Sequence, residues 1–454
     1  MATALAAPLI SGPAVATELD GVRSWRRSLA DRQYAQTRSL LLADVPGWST
    51  APGLPAFRHQ TSRFFSVIGI EAHDPVADAT WMQPMIDQPE VGLLAIAITP
   101  SERGHAALIQ AKAEPGNVNG IQLSPTVQAT RSNSQRAHSG RAVPYLDLFA
   151  RRPEHALVDT RQSEHGAVFL RKRNRVMVVE VPPFDPLPGF RWIELADLLG
   201  LLRDDDLVHA DTRAVLACLP WTFDAGCGGE CGSTLRRSLR AAPNDERLRT
   251  LARWMSAERS VRTPAVRIVP LPELTGWTRS ERALQRTDGR GFEVVAVEVE
   301  AQGREVDGWA QPMVHPRDIG LTGLAMATVD GEARLLMRMC PEPGLVDGAE
   351  LGPTVQCEDA EEPPGAVERD LMHLLLSAAP ADTVFDSVLS DEGGRFLHGR
   401  QRHLIVRVDP FPAPAGYQWC RLAELTELLI HSHQVNMQAR SAFVCLLATL
   451  CGTP

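Results

Sequence analysis

Trp81-Met82-Gln83-Pro84-Met85 recurs 228 residues later as Trp309-Ala310-Gln311-Pro312-Met313. At the same offset Glu114-Pro115-Gly116 returns as Glu342-Pro343-Gly344, and Pro125-Thr126-Val127-Gln128 as Pro353-Thr354-Val355-Gln356. Ten of the fifteen positions in 114–128 match their partners, many of them polar or turn-forming. A period this long, occurring twice, means two copies of one domain rather than a solenoid. A duplicated ligand pocket explains polar repetition better than a duplicated core does.

Working outward, both copies open with Gly-Trp-hydroxyl, at Gly47-Trp48-Ser49 and Gly276-Trp277-Thr278. Alternating β-branched runs follow at Phe65–Glu71 and Phe292–Glu298 and predict strands. The proline of each Trp-x-Gln-Pro-Met string favours a strand edge or a turn. Gly92–Thr99 with Ala107–Ala113, and Leu324–Val329 with Ala333–Met339, predict hairpins; Asp330-Gly331 is the turn signal of the second. Short helices are expected at Tyr145–Ala150 and Glu368–Ser377. Further strand pairs are expected at Ala167–Lys172 with Arg175–Val181, and at Arg395–His398 with His403–Val408. Leu-rich helices close each copy, at Leu195–Leu202 and Leu422–Leu429. The pattern predicts an α+β fold of two tandem homologous modules, each a mixed or antiparallel sheet with helices. The boundaries read as a tail and helix over 1–44, repeat 1 over 45–221, a linker with a helix at 242–261 over 222–271, and repeat 2 over 272–454. The small-residue segment 1–17 reads as a disordered tail.

The chain of 454 residues carries a net charge of −9, which argues against general nucleic-acid binding. No apolar run reaches the roughly 20 residues of a membrane span, and the first basic residue, Arg23, comes too late for a secretory leader. Eight scattered cysteines suit free thiols in a reducing cytoplasm. Cys227 and Cys231 lack further ligands at zinc spacing, so no metal is expected. No dinucleotide, Walker or Gly-x-Ser-x-Gly signature is present, so no cofactor is expected.

Of 46 basic residues only Lys112 and Lys172 are lysine; both lie in repeat 1, opposite Cys340 and Gly399 of repeat 2. Lys112 sits among apolar strand residues, where a cation is costly unless paired or facing an anion. The loop after Gln128 is basic (Arg131, Asn133, Arg136, His138, Arg141), whereas its partner after Gln356 is acidic. Candidate general bases are Glu164, His165 and His59; Lys112 and Arg171 are candidates for stabilising an oxyanion. Trp81 and Gln83 suit a nucleobase, by stacking and by amide hydrogen bonds. Thr126, Gln128, Arg131, Asn133, Gln162, Ser163, Arg171 and Asn174 complete the expected repeat 1 site. A second pocket is expected from Trp309, Gln311, Arg338, Thr354, Gln356, Arg395 and Arg402.

Phe64–Val67, Trp81–Met85, the string from Gly120 to Asn133, Gln162-Ser163-Glu164, Phe169–Asn174, Gly308–Met313 and Asp391–Phe396 together resemble the NDP-hexose 2,3-dehydratases of deoxysugar biosynthesis. The resemblance covers about 45–450. It implies a dTDP-4-keto-6-deoxyhexose substrate and a 3,4-diketo-2,6-dideoxy product that a separate NAD(P)H-dependent 3-ketoreductase consumes. It also implies Nudix-like modules, a homodimer, and one catalytic beside one vestigial pocket. A non-catalytic tandem nucleotide-sugar-binding module, or another sugar-nucleotide lyase or isomerase, is the alternative.

Overall fold

A computed structural model describes residues 8–11, 17–130, 141–150, 156–223, 230–358 and 365–451. Each repeat builds two sheets. The larger has seven strands and is mixed: in repeat 1, Arg173–Glu180 runs parallel to Gly92–Ser101, and the remaining pairs are antiparallel. Repeat 2 reproduces this order with Arg400–Arg407 parallel to Gly320–Val329. Alternation along Gly92–Ser101 sends Leu94, Ile96 and Ile98 toward the helices Leu195–Gly200 and Ala210–Ala217. Ala95 and Ala97 go the other way, toward Phe149 of the helix Leu146–Ala150. Helices therefore cover both faces, which accounts for the near-continuous apolar strands. The α+β class and the two similar modules stand as expected.

The smaller sheets interlock the repeats. Ser66–Asp74 pairs with Ala79–Asp87 on one side and with Ala265–Val269 on the other. Phe292–Gln302 pairs with Gly308–Pro316 and with Tyr34–Leu40. Each small sheet thus takes the strand that precedes the other repeat. Both donated strands fall in segments read as tail and linker. Pro84 and Pro312 sit in edge strands paired on one side only, where a missing N–H costs nothing.

Two cores cross the boundary. Phe57, Phe65, Ile86, Leu284, Phe292 and Val314 join the small sheets. The large sheets share a second core around Met437–Ala448, whose residues are all buried. At its ends two buried arginines hold carbonyls across the boundary. Arg213 donates to Ser390 O at 2.7 Å, and Arg440 to Ser163 O at 2.5 Å.

Several local expectations need correction. Ala167–Lys172 and Arg395–His398 are turns, because Arg171 and His398 take left-handed φ of 52° and 58°. The strands that pair with Arg173–Glu180 and Arg400–Arg407 are Ala156–Ser163 and Thr383–Ser390. Leu9 and Ile10 are buried rather than part of a loose tail. The linker holds two helices, Glu230–Arg240 and Asp245–Arg262, instead of one. Cys227 lies outside the described residues. Asp330 and Gly331 make the expected hairpin turn, with φ of 55° and 74°.

The turns that replaced the expected strands dock on the other repeat's Glu-Pro-Gly string. Gly394 N donates to Pro115 O and His398 N to Gly116 O; reciprocally, Gly344 N donates to Gly166 O and Arg171 N to Gly344 O. A Cβ on Gly116 would stand 2.1 Å from Phe396 O, on top of a φ of +90°. Gly120 shares the conformation (φ +78°) but has nothing within 4 Å. Gly116→Ala is therefore expected to lower Tm by several degrees, and Gly120→Ala to cost only about 1 kcal/mol. Equal Tm values in scanning fluorimetry would contradict the docking role.

Candidate active site

The crossed turns leave one large cavity, of about 510 Å³, where the repeats meet. That volume is in the range of small-ligand sites. Repeat 1 supplies Lys112, Gln128 and Asn174 from its large sheet, Glu114 and Lys172 from just outside those strands, Trp48 and His59 from its small sheet, and Phe64 from between two of its strands. Repeat 2 supplies Arg304, Trp309, Gln311 and the turn Glu392–Arg395. The cavity is composite, and its polar lining comes from both copies.

Glu114 organises the charged side. Its carboxylate meets Lys112 Nζ at 3.0 Å, His209 Nε2 at 2.9 Å and Arg304 Nη1 at 3.2 Å. Burial alone would raise its pKa, but Lys112, His209 and Arg304 hold it well below the usual carboxylate range. His209 Nδ1 accepts Asp211 N–H at 3.1 Å, so its hydrogen lies on Nε2 toward Glu114. Lys112 Nζ also donates to Gln128 Oε1 at 2.7 Å. Two of its three N–H groups are thereby engaged, and among the described residues the third meets no acceptor, which leaves it for a ligand oxygen. Lys172 Nζ donates to Glu90 O at 2.7 Å, and burial lowers its pKa.

Glu392 comes from the repeat 2 turn. Its pKa is raised to about 7 by burial and then by the charge of Glu164, with Arg395 opposing. That range suits a general base at neutral pH. Arg395 stacks 4.1 Å over Phe65 and donates to Gln88 Oε1.

The equivalent position in the other direction is a cavity of about 40 Å³, lined in part by His165, Phe292, Gln356, Asp391 and Gln438. The causes can be read residue by residue. Lys112 is replaced by Cys340 and Lys172 by Gly399. Glu342, the partner of Glu114, is held by Gln356 and Asn436 amides at 2.9 and 3.0 Å, and burial raises its pKa. The hairpin that carries Arg304 in repeat 2 has Val76 at the corresponding offset in repeat 1.

The expected site residues divide accordingly. Lys112, Gln128, Asn174 and His59 line the large cavity. Glu164 does not line it; it stands behind, buried, accepting from Asn174 Nδ2 at 2.8 Å. His165 faces the small cavity, bonded to Gln438 at 2.8 Å, with its pKa lowered to about 3 by burial. Trp81 and Gln83 also lie away from the large cavity. Gln83 Oε1 accepts from Trp81 Nε1 at 2.8 Å, and Gln83 Nε2 holds Ala167 O at 2.6 Å. Trp309 and Gln311 make the same contacts, to Gly394 O, yet line the large cavity together with Arg395. The assignment of these three to a second pocket is corrected by the crossed turns.

Thr126 and Thr354 line neither cavity; their hydroxyls bridge strands, to Ala97 N and Leu108 O and to Ala325 N and Leu336 O. Gln162 and Ser163 bond across the repeat boundary, to Leu429 O and to Glu350 and His433. Arg171 is exposed, and Lys172 beside it enters the cavity. Arg338 pairs with Glu368 and Arg402 with Asp386, while Gln356 lines only the small cavity. Arg131 and Asn133 lie outside the described residues. Glu114, His209, Asp211, Arg304 and Glu392 were not anticipated. Glu114 and Glu392 lay within repeated strings, whereas Arg304 has no counterpart that would mark it. Among the described residues no group of three or more His, Cys, Asp or Glu is arranged to hold a metal.

Fold and cavity define a duplicated two-module protein with one composite site. A family model described as NDP-hexose 2,3-dehydratase matches residues 19–219 and 248–446, and the chain belongs to that family. It is 40% identical to a dTDP-4-dehydro-6-deoxy-alpha-D-glucopyranose 2,3-dehydratase of Saccharopolyspora spinosa, over 92% of this chain and 90% of the relative. Relatives of the same description in Streptomyces violaceoruber and Amycolatopsis orientalis are 37% and 36% identical, over 95% and 98% of this chain and 97% and 93% of theirs.

Proposed function

We propose that the chain is a lyase that dehydrates dTDP-4-keto-6-deoxy-D-glucose across C2 and C3, giving a 3,4-diketo-2,6-dideoxy sugar nucleotide. The observation that carries this is the meeting, in one cavity, of the Glu392 carboxyl group with a lysine fixed by Glu114 and Gln128. The relatives named above share the chain's length and carry that activity in their descriptions.

The C4 ketone acidifies the C3 hydrogen. Glu392 takes that proton; it replaces Glu164 in this role because Glu164 does not line the cavity. Lys112 meets the enolate oxygen, and Glu114 and Gln128 fix its position. One such donor is worth about 2.7–4 kcal/mol in comparable sites. The C2 hydroxyl, β to the ketone, then departs, and the resulting 2,3-enol tautomerises to the 3-ketone. No hydride moves, so the sequence of steps needs no nicotinamide, and Lys112 supplies the positive charge without a metal. Trp309 stacks on the base, while Lys172 and Arg304 attract the diphosphate.

We also assign the chain to antibiotic deoxysugar biosynthesis in the cytoplasm, as a homodimer whose product passes to a 3-ketoreductase. Its modules are read as Nudix-like, on the strength of a mixed sheet covered by helices on both faces. No helix among the described residues is long and apolar enough to cross a membrane. Mass spectrometry after incubation with the 4-keto sugar nucleotide tests the reaction. Loss of one water, with release of dTDP as the diketone breaks down, is expected; an intact bound ligand would mark a binding module instead.

Trp309→Ala is expected to raise KM for the sugar nucleotide about tenfold or more, since stacking on one base is worth about 1–3 kcal/mol, with a smaller change in kcat. Trp81→Ala, on the far side, is expected to leave KM within about twofold. Equal effects of the two substitutions would contradict the crossed assignment.

A further inference from the structure

We infer that Asp211 is the general acid that protonates the departing C2 hydroxyl, an inference that rests on the dehydratase reading above. Asp211 occupies the first turn of the helix Ala210–Ala217, and its side chain lines the large cavity. It is 1% exposed, and neither carboxyl oxygen has a hydrogen-bond partner among the described residues. A buried carboxyl in that state is rare, because an unpaired buried polar group costs free energy unless something else meets it. The repeat 2 counterpart shows the contrast. Gln438 stands at the equivalent position, in the copy whose cavity has closed; its Nε2 meets His165 Nδ1 at 2.8 Å, while its Oε1 has no partner among the described residues. Only the copy with an open cavity keeps an acid there.

The surroundings favour the protonated form of Asp211. Burial, then the charges of Glu392, Glu164 and Glu114, hold its pKa well above the carboxylate range, with Lys112 opposing. His209, 3.9 Å away, turns its Nδ1 lone pair to the Asp211 backbone N–H and its hydrogen to Glu114. Two carboxyl groups in one cavity are thus driven to opposite states, the arrangement that separates an acid from a base.

The proton balance closes. Glu392 accepts the C3 proton. As the enolate collapses, the C2–O bond breaks with its electron pair on oxygen, and that oxygen takes the Asp211 proton to leave as water. The enol then gives its 3-hydroxyl proton to the Asp211 carboxylate, and Glu392 returns its proton to C2. Both residues end as they began, and no oxidant or reductant enters.

The test compares Asp211→Asn with wild type on two substrates: the natural 4-keto sugar nucleotide and its analogue carrying fluorine in place of the 2-hydroxyl. Fluoride leaves without protonation, so its release does not need the acid. The expected result is a loss of about a hundredfold or more in turnover of the natural substrate, with fluoride release within a few-fold of wild type and unchanged affinity for dTDP. Near-wild-type dehydration by Asp211→Asn overturns the inference, as does an equal loss on both substrates. Should Asp211→Asn fail to fold, as read by circular dichroism and dTDP binding, Asp211→Ser is put through the same pair of assays. A wild-type protein that releases neither water nor fluoride removes the dehydratase reading itself, and this inference with it.

Discussion

Glu392→Gln is expected to lower kcat by about 10²–10⁴-fold, the usual contribution of a positioned general base. The substitution keeps shape and removes only the ability to take a proton, so KM for the sugar nucleotide should stay within a few-fold. The pH profile gives a sharper check. A base works only when ionised, and burial together with Glu164 raises the Glu392 pKa to about 7. In the wild type kcat/KM should therefore climb as pH rises through about 7, and fall again at higher pH where Asp211 loses its proton. Glu392→Gln should abolish the rising limb. Glu164→Gln should retain turnover and move the limb to lower pH, because it removes a negative charge that disfavours ionisation of Glu392. A profile in which Glu164→Gln loses the limb while Glu392→Gln keeps it would return the base to Glu164.

Arg440→Ala is expected to destabilise the protein by about 3–5 kcal/mol, because it deletes a large buried side chain and strands several buried acceptors. The guanidinium is 1% exposed and donates to Val435 O at 2.6 Å, Ser163 O at 2.5 Å and Gln162 Oε1 at 3.3 Å. Its removal leaves two buried carbonyls and an amide oxygen without donors and opens a cavity. Two of these acceptors belong to repeat 1, so the damage falls on the boundary between repeats. A Tm lower by on the order of 5–10 °C is expected, and urea unfolding should split toward separate transitions. A Tm within about 1 °C of wild type would show that the buried arginines do not hold the copies together. Arg213→Ala, the equivalent position, bonded to Ser390 O, Val208 O and Ser441 Oγ, should behave alike.

The parts of this fold that were legible are those with a local cause. Alternation marked the strands, Asp330-Gly331 marked its hairpin, and the prolines of the Trp-x-Gln-Pro-Met strings marked edges. The duplication itself was plain from matched strings. What lay beyond reach was pairing across more than two hundred residues. Nothing in Tyr34–Leu40 or Ala265–Val269 announces that each joins the sheet of the opposite repeat. The turns after Ser163 and Ser390 look like strands in the sequence because Val168, Phe169 and Phe396 carry strand propensity. Their path is set instead by docking on Gly344 and Gly116.

That one misreading explains the misplaced site residues. If each turn stays with its own repeat, the turn that carries Glu164 and His165 faces Lys112. Once the turns cross, Glu392 does, and Trp309 takes the place expected of Trp81. Lys112 was legible because a lone lysine in an apolar strand has a physical cost wherever the strand goes. Arg304 was not, because an exposed-looking hairpin arginine carries no signal until the hairpin is seen to cap the other repeat's cavity.

The central claim is that one site is built from both copies, and a crystal structure of the protein with bound dTDP tests it most directly. The account predicts dTDP in the large cavity, with its base against Trp309 and its diphosphate near Lys172 and Arg304. It also predicts the sugar position opening toward Glu392 and Lys112. A nucleotide held by Trp81 and Gln83, on the side of the small cavity, would contradict it.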